Sequence, residues 1–193
     1  MVNVLMGFFL ATLITALFST RLFKLIYWYA LNSLFLGLIA LYIGFNIDDK
    51  AMIITGFLTL FLKAIIIPYI LKVYFLRFNI PRRIIPKITI QYSIILIPIV
   101  LVFTFYLITP ILHNFTHANY VSIAISALFL AILLIIEHKN IAPKIVGFLS
   151  IENSLFLLGI SATDGMPMMV ELGIFVDLMM LVVVINLLLK EAK

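Results

Sequence analysis

Long apolar runs broken by short polar punctuation dominate this chain. Windows of roughly 20 apolar residues, the length that crosses about 30 Å of hydrocarbon as a helix, recur at 2–20, 27–45, 51–75, 88–110, 119–136, 142–161 and 167–189. The connections carry the breakers: Asn46-Ile47-Asp48-Asp49, Asn79-Ile80-Pro81-Arg82-Arg83, Thr109-Pro110 and Asp164-Gly165-Met166-Pro167. Asp164 reads as a cap for the last helix, with Pro167 tolerated in its first turn. The pattern predicts an all-α, polytopic integral membrane protein of about seven transmembrane helices. It forms one transmembrane domain over 1–193, with helices 1–5 in 1–137 and the last two in 138–193.

Composition strengthens the membrane reading. The 193 residues are 65% hydrophobic and 11% charged, whereas a soluble domain is about half apolar and about a quarter charged. There are no cysteines, so this chain offers no thiolate ligands for zinc or iron–sulfur clusters and no disulfides. No Gly-rich phosphate loop, Ser/His/Asp arrangement or metal-ligand cluster stands out. The expectation is a non-catalytic subunit, with no catalytic, cofactor-binding or metal-binding residues of its own. The first apolar segment lacks a basic region before it and reads as a span, not a signal peptide.

The net charge of +5 matters through its distribution. Arg21 and Lys24 follow the first span. Lys72, Arg77, Arg82, Arg83 and Lys87 surround the connection between the third and fourth. Lys139 and Lys144 lie between the fifth and sixth, and Lys190 and Lys193 follow the seventh. Seven spans put all of these on one side and leave only Lys50 opposite. The positive-inside rule then predicts the N-terminus outside and the C-terminus inside. Tyr27, Trp28 and Tyr29 occupy the place of an interfacial aromatic anchor. Glu137, His138 and Lys139 read as a solvated helix end.

The candidate chemistry lies in the few ionisable residues within spans. Such groups are expensive in hydrocarbon and usually mark ion or proton pathways. Glu152 falls near the middle of the sixth span, followed by Asn153 as a supporting polar group. Asp177 is central in the seventh, and Glu171 about one turn inside its outer end. Glu171 and Asp177 are six residues apart and point about 120° from each other on a helix, so they do not form one dyad. Lys63 is the basic residue midway along the third span. Pro68, five residues later, frees the carbonyl of Ala64 from its helical bond, and loosened backbone beside a buried lysine suits an ion pathway. The plainer reading for each carboxylate is structural, as hydrogen-bonding glue or an interfacial group. For Lys63 it is an ion pair with Glu152 or Asp177. His113 and His117 flank Asn114-Phe115-Thr116, a match to a glycosylation acceptor, and no third metal ligand accompanies the two histidines.

Ile151-Glu152-Asn153, Gly159, Asp164-Gly165-Met166-Pro167 and Val170-Glu171-Leu172-Gly173, followed by Asp177, resemble hydrogenase-4 component E. That membrane subunit belongs to the group 4, energy-converting nickel–iron hydrogenases. The last two helices are also similar to the small three-helix subunit K of respiratory complex I and to its small counterpart in multisubunit cation/proton antiporters. Glu152 with Asn153 matches the first membrane glutamate of that complex I subunit in kind, and Glu171 before Gly173 matches the second. The glutamates here are closer together than in the complex I subunit, and Asp177 is an added charge. The resemblance covers residues 140–190 well and the first four helices only by count and hydropathy. It implies a subunit of a prokaryotic cell-membrane oxidoreductase that couples electron transfer to proton or sodium movement. Glu152, Glu171, Asp177 and Lys63 would form the pathway. Nickel–iron and iron–sulfur clusters would sit in peripheral hydrogenase-like partners, beside antiporter-like and quinone-subunit-like membrane partners, with no nucleic acid involved. A stand-alone proton-coupled transporter and a purely structural membrane anchor are the alternatives.

Overall fold

A computed structural model describes residues 1–77, 79–88, 90–108, 110 and 118–163. It is all-helical, and within the described residues no strands form beyond two isolated bridges. The helices are α1 (Val2–Leu17), α2 (Leu22–Ile47), α3 (Lys50–Phe61), α4 (Ile67–Arg77), α5 (Ile90–Ile108), α6 (Ala118–Glu137) and α7 (Ile141–Thr163). A π turn, Leu62–Ile66, joins α3 to α4 in one continuous helical rod. Five helices are long and apolar enough to cross a membrane, counting that rod, Lys50–Arg77, as one. The sixteen residues of α1 rise about 24 Å, short of a full hydrocarbon core. The rod's 28 residues rise about 42 Å, more than a span needs, so Lys72 and Arg77 can reach the interface by tilt. The predicted span at 167–189 lies outside the described residues.

The rod follows from its sequence. Asp48 takes a left-handed conformation (φ 54°) that ends α2, and Asn or Asp accepts that region more readily than most residues. Asp49 then caps α3, its carboxylate accepting from the Ala51 N–H at 2.9 Å. Pro68 carries no N–H for the carbonyls behind it, and its ring crowds the turn below. The helix widens just ahead of it: the Ile67 N–H reaches back five residues to the Leu62 carbonyl. The loosened backbone expected ahead of Pro68 is therefore a π turn, and Lys63 sits on it.

Packing builds the bundle from adjacent hairpins. α1 lies against α2 and α6, α2 against α3 and α7, and α6 against α7, while α5 rests on α6. Close approach of α2 and α3 depends on small residues, the usual device where lipid removes the hydrophobic drive between helices. A Cβ on Gly37 would fall 2.6 Å from Leu60 Cγ. Tyr29 is buried in the core while Tyr27 is exposed. The aromatic triplet thus splits, because consecutive helical residues cannot share one face.

Three connections meet at one end. The Leu22 N–H donates to the Arg82 carbonyl and the Ile84 N–H to the Thr20 carbonyl, each at 3.0 Å. The Lys87 N–H donates to the Glu137 carbonyl, and the Ile85 N–H to Asn140 Oδ1 at 2.7 Å. The segment 79–88 is thereby tied across both the α1–α2 and α6–α7 turns. That covering corrects the expectation of a solvated end at 137–139: Glu137 and His138 are buried, and only Lys139 is exposed.

Candidate functional site

Glu152 lies eleven residues from each end of α7, and Lys63 thirteen residues into the rod. Both are therefore about 16–20 Å from their helix ends, at mid-height of the bundle. They meet there: Lys63 Nζ donates to Glu152 Oε1 at 2.9 Å, with side chains 2% and 6% exposed. Phe156, one turn beyond Glu152 on the same face, places its ring centroid 5.6 Å from Lys63 Nζ, a cation–π arrangement. Isolated, either charge would be costly at this depth; paired and hydrogen-bonded, the two offset much of that cost.

The polar region continues from Asn153 across the bundle. Its Nδ2 donates to Asn32 Oδ1 at 3.0 Å and Ser33 Oγ at 2.9 Å. Asn32 Nδ2 donates in turn to Thr12 Oγ1 at 3.1 Å and to the Phe9 carbonyl at 3.0 Å. Thr12 also donates to that carbonyl, at 2.6 Å. Asn153 Oδ1 is fully buried and has no hydrogen-bond partner among the described residues. A file of polar groups thus runs from the π turn through α7 and α2 to α1, crossing the bundle instead of following its axis. Buried polar groups lacking partners are uncommon, because each costs about 1–3 kcal/mol.

Of the four pathway residues read from the sequence, the structure joins Lys63 to Glu152 and places Asn153 beside them. Of the two partners considered for Lys63, Glu152 is in contact. Glu171 and Asp177 lie outside the described residues, as do Asp164, His113 and His117. Sequence reasoning missed Thr12, Asn32 and Ser33. Asn32 had a usable signal, an amide in the middle of a 26-residue apolar helix. The two hydroxyls had none, since Ser and Thr in such helices commonly bond their own backbone, as Ser154 does to the Ser150 carbonyl.

A second polar cluster lies at the basic end. Glu137 is bonded by Ser93. The His138 ring lies 3.0 Å from the Leu134 carbonyl. Burial pushes the His138 pKa below its ordinary value, and the Leu134 contact opposes this in part.

The chain is similar to Uncharacterized protein Rv0085 of Mycobacterium tuberculosis, with 25% identity over 156 residues that cover 79% of this chain and 71% of the relative. No protein-family model and no solved structure matches it.

Proposed function

We propose that this chain is an ion-translocating membrane subunit of a multisubunit hydrogenase-like or complex I-like oxidoreductase in a prokaryotic cell membrane. The observation that carries the reading is the Lys63–Glu152 pair: opposite charges, almost wholly buried, at mid-height of apolar helices and on a π turn. Ionisable groups at such depth are functional by default, and single π turns inside helices frequently mark functional sites. A proton or sodium ion passing the pair would exchange with one of its charges. The file from Asn153 to Thr12 supplies further groups able to relay or solvate it. Glu171 and Asp177 would extend the path on a seventh span.

The proposal includes seven spans, N-terminus out and C-terminus in. The three basic connections tied together at one bundle end support a single positive face, which the positive-inside rule places in the cytoplasm. Redox centres belong to partners, since a cysteine-free chain has no thiolate for a nickel–iron or iron–sulfur site. The chain itself makes no bonds.

Gentle solubilisation of native membranes, capture of this chain and mass spectrometry of what accompanies it test the assignment. Iron–sulfur and nickel–iron-type subunits together with antiporter-like membrane proteins are expected. Recovery of the chain alone, in a detergent that keeps comparable complexes intact, would instead favour a stand-alone transporter.

A further inference from the structure

We infer that the basic end of α2 and α4 is a binding site for an anionic phospholipid, with a phosphate-bearing headgroup in a cationic cleft and an acyl chain in the groove below. The cleft, about 1030 Å³, lies between the start of α2 and the 79–88 segment. Arg21, Lys24, Arg82 and Arg83 line it, and no acidic residue does. Among the described residues none of these four is paired with a carboxylate. The cleft is held in shape by the backbone bonds that pair residues 20–22 with 82–84.

Phe23 is shared by this cleft and by a second, smaller groove of about 530 Å³. The Arg82 guanidinium sits 5.8 Å from the Phe23 ring centroid, at the border of the two. The groove descends between α2 and α4 along Ile26, Tyr27 and Ala30 on one side and Pro68 and Tyr69 on the other, with Lys72 near its top. From Arg21 to Ala30 is nine residues, about 13 Å along the helix. Cations at the headgroup level above an apolar channel of that depth match the two halves of an anionic lipid. Basic pockets between transmembrane helices bind such headgroups through charge. A free inorganic anion would use the cleft but gain nothing from the groove. The site rests on the membrane character of the helices and is independent of ion translocation.

Native mass spectrometry of the purified chain in detergent, titrated with phosphatidylglycerol, phosphatidylcholine or inorganic phosphate, tests the site. Phosphatidylglycerol should remain bound under activation that strips phosphatidylcholine. The double variant Arg82→Gln/Arg83→Gln should weaken its retention on the order of tenfold or more, and Lys50→Gln at the opposite end should not. Arg82→Lys/Arg83→Lys should hold most of the binding, which separates lost charge from lost folding. Ala30→Phe, filling the groove, should weaken lipid retention while leaving any phosphate binding unchanged. Equal retention of the two lipids, unchanged binding in the Gln double variant, or phosphate binding as strong as the lipid's would each overturn the inference.

Discussion

Lys63 and Glu152 depend on each other. Removing one partner of a buried ion pair leaves an uncompensated charge and costs about 3–5 kcal/mol, whereas replacing both with neutral groups is far milder. Lys63→Met and Glu152→Gln should therefore each lower the thermal unfolding temperature in detergent, and the double variant should lie nearer wild type than either single one. Losses that simply add would mean that the two side chains do not stabilise each other. At this scale the sequence was informative because charges are so scarce: a lysine, a glutamate and an asparagine stood out in apolar spans. Their partners were less legible. Pairing Lys63 with Glu152 required long-range contact across 89 residues, and periodicity within one helix carries no such information. Thr12 and Ser33 gave no signal because hydroxyls are ordinary in transmembrane helices.

The helices were legible where apolar runs were long and breakers strong. Asp48 and Asp49 marked the α2–α3 turn, and Pro68 marked a disturbance near Lys63. Its form, a π turn, depends on how the widened backbone packs, which composition does not encode. The end of α6 misled because Glu137 and His138 look solvated until the 79–88 segment folds over them. That burial has a pH signature. With its pKa below the ordinary value of 6.5, His138 takes up its proton at lower pH in the fold than in the unfolded chain. The unfolded state then binds more protons, so stability is intact above about pH 6.5 and declines on acidification. The difference in unfolding temperature between wild type and His138→Gln should change between about pH 7.5 and about pH 5, with wild type losing ground at the acid end. A difference independent of pH would show that His138 does not titrate differently on folding.

The described helices form an apolar bundle with a buried ion pair at its centre and one strongly basic end. The absence of native cysteines makes its orientation directly measurable. With the basic end in the cytoplasm, a membrane-impermeant maleimide applied to intact cells should label Lys50→Cys and spare Lys139→Cys until the membrane is opened. The reverse pattern would invert the orientation. The exposed apolar surface of α5, including Val102 and Tyr106, suits lipid or a neighbouring protein. The all-helical, membrane-type character is a whole-molecule property readable from hydropathy, although five of the seven predicted spans are long and apolar enough to cross a membrane among the described residues, whereas the transverse polar file emerged only once α1, α2 and α7 were brought together. Glu152→Gln probes ion movement through that centre. The substitution keeps size and hydrogen-bonding capacity while removing the charge. In membrane vesicles carrying the assembled complex, electron transfer should continue while coupled proton or sodium uptake falls at least several-fold, with the variant still present in the complex at normal stoichiometry. Undiminished uptake by a fully assembled Glu152→Gln complex would contradict the account and leave the Lys63–Glu152 pair a structural tie.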